Sequence, residues 1–438
     1  MYSFLRAAFT ASVALIVVIE VSCGGSSPAA TPTLATTAEP MTSQTPAAET
    51  AESPFDEGFQ LFESGEIGKA LEAFTRAIAL DPQDSLAYMN RGNAYNSLAQ
   101  PQRAIEDYDE AIRLDPQLAP AYDNRGLAYV NLGQFRRAIE DFDEAIRLDP
   151  QHAVAYNNRS GAYQFLGDNQ RAIQDASEAI RLDPQLAQAY MNRGNANDNL
   201  GQPQLAMEDY DEAIRLDPQY ALAYYNRGYA YNNLGQAQRA IEDFDEAIRL
   251  EPRYVPAYTS RSLAYVNLGQ FRRAIEDNDE AIRLDPQHAV AYNNRGLAYL
   301  NLGQFRRAIE DYDEAIRLDP QVALAYSSRG AAYDYLGEPL RAIQDYNEAI
   351  RLDPKLALAY NNRGVAYISL GDFRRAIEDS DQAIRLNPQD AQAYVTRAIA
   401  YTFLGMDSLA QHDADQAAEL GSDPAVLMRM IEDAKMQR

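Results

Sequence analysis

Residues 119–150 read APAYDNRGLAYVNLGQFRRAIEDFDEAIRLDP. Apolar side chains recur at helical spacing in the half before Gly133 and again in the half after it. Gly133 can adopt the left-handed conformation of a tight turn, and Pro150 cannot continue a helix. The stretch therefore predicts two short helices joined by a turn.

The same stretch recurs along most of the chain with a period of 34 residues. The prolines equivalent to Pro150 are Pro82, Pro116, Pro184, Pro218, Pro252, Pro286, Pro320, Pro354 and Pro388. A fixed period of this length is typical of a solenoid, in which each unit packs only against its neighbours. Frames of this length give eleven units, which start at residues 51, 85, 119, 153, 187, 221, 255, 289, 323, 357 and 391.

The order of aromatic, small and proline residues within a unit resembles the tetratricopeptide repeat. The residues that carry this resemblance are Tyr122, Gly126, Tyr129, Gly133, Ala138, Phe142, Ala145 and Pro150. The resemblance covers about residues 51–424. It implies an all-α fold, a right-handed α-solenoid superhelix of stacked helix–turn–helix repeats.

The domain organisation follows from where the repeat pattern weakens. We expect eleven repeats over residues 54–424, of which the first and last are degenerate, as capping repeats usually are. Residues 425–438 then form a capping helix, because Val426, Leu427, Met430 and Ile431 fall on one helical face.

The composition excludes several classes of function. Lysine and arginine total 39 against 64 acidic residues, a formal charge of −25 that argues against a nucleic-acid binder. One cysteine excludes a disulfide framework and a cysteine-based zinc site. The acids cluster on helices and lack the glycine turn of a calcium loop. We therefore expect no metal, no cofactor and no catalytic residues.

Most of the 29 tyrosines fall at three repeat positions, those of Tyr122, Tyr129 and Phe142. Large rings at fixed positions of a solenoid fill the space between helices, so we interpret them as core residues and not as a stacking platform. Arg125 and its equivalents stand where the tetratricopeptide family often has leucine. We expect the stem of Arg125 to pack between helices while its guanidinium meets a carboxylate of the second helix.

The N-terminus predicts export. Residues 7–19 are an uncharged apolar run, too short to span a membrane comfortably and suited to a secretory signal. The sequence Val21-Ser22-Cys23 after it resembles a bacterial lipoprotein signal, with Glu20 where an aliphatic residue is usual. We expect a signal peptide over 1–23, lipidation of Cys23 and a disordered Ser/Thr/Pro/Ala linker over 24–53. The alternatives are an uncleaved signal anchor and cleavage without lipid.

These features favour a non-catalytic scaffold, tethered in the cell envelope, that binds a protein or an extended peptide in its concave groove. An assembly factor for a pilus, a secretion system or the outer membrane is one alternative, and a repeat-built enzyme or glycan-handling site is another. The family resemblance implies that side chains two positions after the first-helix tyrosine face the groove. The predicted peptide-binding residues there are Asn90, Asn124, Asn158, Asn192, Asn226, Asn294 and Asn362.

Overall fold

A computed structural model describes residues 53–438, and within them the only regular elements are 23 α-helices. The predicted signal segment, Cys23 and the predicted linker up to residue 52 lie outside the described residues. None of the 23 helices has both the length and the apolar character needed to cross a bilayer.

Each repeat unit contributes two helices, and one helix follows the last unit. The first helices of the units are α1 (Pro54–Glu63), α3 (Ser85–Ser97), α5 (Ala119–Asn131), α7 (Ala153–Phe165), α9 (Ala187–Asn199), α11 (Ala221–Asn233), α13 (Val255–Asn267), α15 (Ala289–Asn301), α17 (Ala323–Leu336), α19 (Ala357–Ser369) and α21 (Ala391–Phe403). The second helices are α2 (Ile67–Leu80), α4 (Pro101–Leu114), α6 (Phe135–Leu148), α8 (Asn169–Leu182), α10 (Pro203–Leu216), α12 (Ala237–Leu250), α14 (Phe271–Leu284), α16 (Phe305–Leu318), α18 (Pro339–Leu352), α20 (Phe373–Leu386) and α22 (Asp407–Glu419). The final helix is α23 (Pro424–Gln437).

The described helices separate into two compact units, 53–230 and Tyr231–Arg438, with the boundary inside α11. Within each unit the two helices of a repeat pack together, and the second helix packs against the first helix of the next repeat. This arrangement confirms the predicted fold class, an all-α stack of helix pairs.

The turns explain where the helices end. Gly133 has a φ of 69°, a left-handed conformation that glycine adopts without strain. Its equivalent in the second repeat is Ala99, which has a φ of 56° and pays the strain that a side chain adds there. After the second helix, the side chain of Asp149 accepts a hydrogen bond of 3.0 Å from the backbone N–H of Gln151. This local bond closes the turn that leads into the next repeat.

The helices of one repeat approach closely because a glycine faces a ring. A methyl group added at Gly126 would lie 2.6 Å from Cε1 of Phe142, well inside van der Waals contact. Phe142 is fully buried, as are Tyr108 and Tyr210 at the equivalent position. The small residue and the large one therefore form a single packing unit.

Where the ring is missing, the facing position changes. Ser160 stands opposite Ala176, and its hydroxyl donates to the carbonyl of Ala172 at 2.8 Å. Gly364 faces Ser380 instead of a ring, and the atom nearest to an added methyl group would be a backbone oxygen at 3.3 Å. At this contact the size of the first-helix residue is thus matched to the size of the second-helix residue that faces it.

The tyrosines at the Phe142 and Tyr122 positions differ in burial, which corrects the expectation that the rings at every one of the three repeat positions are core residues. Those aligned with Phe142 are fully buried, whereas Tyr122 and most of its equivalents are half-buried. The hydroxyl of Tyr122 reaches the carbonyl of Pro116 at 3.4 Å in an exposed turn. Its ring also faces the guanidinium of Arg125, with 5.6 Å between ring centroid and Cζ. The half-buried position lets the ring pack while its polar tip stays near solvent.

Helix α23 covers the end of the stack. Leu427, Met430 and Ile431 are buried in a cluster with residues of α19, α21 and α22. Val426, which the helical pattern placed on the same face, is 47% exposed. The buried face is therefore narrower than the sequence predicts.

Candidate functional site

The predicted peptide-binding asparagines lie inside the stack. Their exposed fractions are 1% for Asn90, 3% for Asn124, 0% for Asn158 and Asn192, 5% for Asn226, 6% for Asn294 and 5% for Asn362. The sequence predicted a row that faces an open groove, and this exposure differs from that prediction. Their role in peptide binding stays a prediction.

Several of these amides join one repeat to the preceding one. Nδ2 of Asn124 donates to Oδ1 of Asn93 at 3.0 Å, and Nδ2 of Asn226 donates to Oδ1 of Asn195 at 2.8 Å. In both cases the accepting oxygen also receives a tyrosine hydroxyl from its own repeat. Nδ2 of Asn192 similarly donates to Oδ1 of Asn157 at 2.9 Å. The asparagine row therefore links neighbouring first helices.

Asn90 differs from the rest of the row. Neither Nδ2 nor Oδ1 of its amide has a hydrogen-bond partner among residues 53–438, although the residue is 1% exposed. Nδ2 of Asn93, one turn further along α3, also lacks a partner there. A buried polar group without a partner costs about 1–3 kcal/mol. This turn of α3 can therefore gain hydrogen bonds from a ligand that reaches it.

The arginines of the first helices form a second row, and they behave as the sequence predicted. Arg125 donates from Nε and Nη2 to the two carboxylate oxygens of Asp141, at 2.8 and 2.6 Å. Its Nη1 donates to Asp109 of the preceding repeat at 2.6 Å. We call the equivalent residues the arginine row: Arg91, Arg125, Arg159, Arg193, Arg227, Arg261, Arg295, Arg329, Arg363 and Arg397.

Burial and charge act against each other in these pairs. Burial would lower the pKa of Arg125, but its bonds to Asp141 and the nearby Asp109 raise it above its ordinary value. Burial raises the pKa of Asp141 in spite of its bonds to Arg125. Arg125 is thus held charged between the buried carboxylate of Asp141 and the exposed carboxylate of Asp109, and its role is structural.

Within residues 53–438 three junctions lack the second carboxylate, and at the first of them Thr75 stands where Arg91 would meet it. Nη1 of Arg193 meets only the hydroxyl of Ser177, at 3.5 Å, and Nη1 of Arg363 meets the amide oxygen of Asn347, at 2.6 Å. The bidentate contact to the buried aspartate, Asp209 for Arg193, is kept. These junctions are held by fewer charged contacts than their neighbours.

Two histidines occupy the same repeat position in different surroundings. Nε2 of His152 lies 3.9 Å from Oδ2 of the buried Asp123, and this pairing raises the pKa of His152. Burial lowers the pKa of His288, where Asp285 opposes the effect only in part. Among the described residues no group of histidine, cysteine and acidic side chains could hold a metal ion.

Asp198 is a feature that sequence reasoning missed. It lies on α9 and is half-buried, and burial raises its pKa. Asn195, one turn earlier, is fully buried, and its Nδ2 has no partner within the described part of the chain. The sequence contained one signal for this site. An acidic residue stands at a first-helix position that the uncharged Gln164 and Val130 occupy in the two preceding repeats.

Sequence profiles of known families match the chain over most of its repeats. Profiles described as tetratricopeptide repeat match residues 85–118, 119–152, 153–186, 187–220, 221–254, 289–322 and 357–390. A profile described as TPR repeat matches residues 58–98, 263–303 and 335–371. Together these matches cover more than half of the chain. No curated protein matches it significantly.

Solved structures resemble the chain in fold. The Cut9–Hcn1 hetero-tetramer of APC/C contains a chain that is 15% identical, with 86% of this chain and 95% of that chain covered and a TM-score of 0.52. Yeast Tom70 is 17% identical over 88% of this chain and 95% of its own, with a TM-score of 0.45. A tetratricopeptide repeat protein from Parabacteroides merdae is 20% identical over 57% and 99%, with a TM-score of 0.49.

Proposed function

Because the chain belongs to the tetratricopeptide repeat family, we propose that it is a non-catalytic scaffold for protein–protein interaction. Its ligand is an extended segment of a partner protein, which lies along the first helices of the repeats. The partner is held mainly through its backbone, because an asparagine amide offers both donors and an acceptor whatever the sequence of the segment.

The unpaired amide of Asn90 is the observation that carries this proposal. Both of its polar atoms lack partners among the described residues, so a peptide that gains access to this buried amide can bond to it through an N–H and a C=O without breaking an internal hydrogen bond. The amides of Asn124 and Asn226, by contrast, already donate a hydrogen bond to the preceding repeat. Binding therefore begins at α3. It continues along the other asparagines only where a hydrogen bond to the ligand replaces the bond to the preceding repeat.

The experiment first captures partners with the full chain and identifies them by mass spectrometry. Affinity for a captured segment is then measured for Asn90→Ala and for the control Gln102→Ala, which removes an exposed amide from the second helix of the same repeat. Loss of two hydrogen bonds, each about 0.5–1.5 kcal/mol, predicts an affinity roughly 5- to 150-fold lower for Asn90→Ala alone.

The stability of the same variants provides a check. Asn90 makes no internal hydrogen bond within the described chain, so Asn90→Ala should leave the melting temperature unchanged or slightly higher. Equal affinities for the two variants, with both proteins folded, would refute the role of Asn90. A failure to capture any protein would count against the scaffold itself.

A lipid anchor at Cys23 is the second part of the proposal. Its support is that Cys23 is the one cysteine of the chain and follows an apolar run suited to a signal peptide. The anchor would hold the repeats at a membrane of the cell envelope. Cys23→Ala should abolish labelling by a fatty-acid analogue and release the protein from membranes. Retention of the unlabelled variant would instead favour an uncleaved signal anchor.

A further inference from the structure

The first helices offer a partner almost no free positive charge. In each of α3, α5, α7, α9, α11, α13, α15, α17, α19 and α21 the only lysine or arginine is the member of the arginine row. Every member of that row contacts at least one aspartate at 2.5–2.7 Å. The cations of these helices are therefore neutralised by the protein itself.

The acids of the first helices are not all neutralised in this way. Asp123 accepts hydrogen bonds from Asn158 at 3.3 Å and lies 3.9 Å from Nε2 of His152, and Asp334 accepts a hydrogen bond from Tyr346 at 3.1 Å. No side chain or backbone group among residues 53–438 donates a hydrogen bond to the carboxylate of Asp198, and no positive charge offsets the effect of its burial. A half-buried carboxylate without a donor is a site that a cation can stabilise.

A second group beside Asp198 also lacks a partner. Oδ1 of Asn195 accepts from the hydroxyl of Tyr210 at 3.0 Å and from Asn226 at 2.8 Å, and these bonds fix the orientation of the amide. Nδ2 of the same amide is buried and has no acceptor in the described chain. Asn195 and Asp198 are three residues apart on α9, so they share one face of the helix. This face thus combines a free donor with a free acceptor.

We propose that the segment bound by the scaffold is basic, and that a lysine or arginine side chain of the segment binds Asp198. A backbone carbonyl of the segment accepts a hydrogen bond from Nδ2 of Asn195. This inference rests on the proposed function and adds the charge of the partner to it. An acidic segment is disfavoured, because it would meet Asp198 with no free cation on α9 to offset the repulsion.

The test uses three fluorescent peptides of equal length that differ only in carrying lysine, glutamine or glutamate at the same spaced positions. Their affinities are measured for the full chain, for Asp198→Asn and for Glu208→Gln. Glu208 is an exposed acid on the second helix of the same repeat, so both variants change the net charge equally. The variants are compared at low and at physiological salt, because a charge contact weakens as salt rises.

We expect the lysine peptide to bind about tenfold more tightly than the glutamine peptide, and the glutamate peptide to bind most weakly. Asp198→Asn should remove this preference and leave the glutamine peptide unaffected, whereas Glu208→Gln should keep it. Equal binding of the lysine and glutamine peptides, or no effect of Asp198→Asn, overturns the inference and leaves the scaffold intact. Loss of binding of all three peptides counts against both.

Discussion

The buried pair of Arg125 and Asp141 allows a quantitative test of how charge is held between the helices. Arg125→Leu removes three hydrogen bonds of 2.6–2.8 Å and leaves the carboxylate of Asp141, which is 8% exposed, without its partner. Breaking a buried ion pair in this way costs about 3–5 kcal/mol. Asp109 loses its contact too, but it is 56% exposed and water replaces the bond.

The double replacement Arg125→Leu with Asp141→Leu should be far less harmful. It removes both buried charges together, and burial raises the pKa of Asp141 because the charged form is poorly solvated there. Apolar replacement of a complete buried pair is often neutral or stabilising, so we expect the double variant to lie within about 1 kcal/mol of the parent protein.

Native-state hydrogen exchange on the amides of α5 and α6 measures this difference locally, which suits a repeat protein that opens in segments. The single variant should raise the opening constant of these amides by roughly 150- to 5,000-fold, and the double variant by less than about tenfold. Asp109→Asn is the control, with an expected cost of about 0.2–1 kcal/mol. Exchange in the double variant as fast as in the single one would refute the reasoning.

Two further predictions compare equivalent positions within the chain. Pairing with Asp123 raises the pKa of His152, so its contribution to stability is present below pH about 6.5 and is lost as the pH rises through the folded pKa. Burial lowers the pKa of His288, so its contribution to stability is present above pH about 6.5 and is lost as the pH falls through the folded pKa. NMR titration should show His152 titrating at a higher pH than His288, and coincident titration curves would contradict this. Gly126→Ala should lower stability by about 1–3 kcal/mol, while Gly364→Ala should be neutral or stabilising by up to about 1 kcal/mol, and equal shifts in thermal denaturation would show that the facing ring does not decide the outcome.

The sequence was sufficient for features that repeat within one unit. The two helices, the turn at Gly133 and the bond from Arg125 to a second-helix carboxylate all depend on contacts inside 34 residues, and periodicity reveals them. The hydrogen-bond partners of the predicted asparagine residues could not be found in this way. The partner of Asn124 is Asn93, 31 residues earlier in the preceding repeat, and only the packing of two first helices brings them together.

The missed site at Asp198 has a related cause. A single acid among many in an acidic chain carries no signal, and its importance arises from what is absent around it. That the described residues place no cation near Asp198 and no acceptor near Nδ2 of Asn195 is visible only when neighbouring side chains have positions. Composition gave the overall charge but not where that charge is left uncompensated.

The contacts of the arginine row affect how such an array changes in length. In unit 119–152, Arg125 of the first helix pairs with Asp109 of the preceding repeat, and Asp143 of the second helix pairs with Arg159 of the next repeat. A tandem copy of this unit therefore supplies both the arginine and the aspartate of each new inter-repeat ion pair, and no charged group is left unpaired at either junction. A copy of unit 153–186, which contains Ser177, would instead reproduce the weaker contact that Ser177 makes with Arg193. Duplication of a repeat therefore keeps or lowers the stability of the contacts between repeats, depending on which repeat is copied.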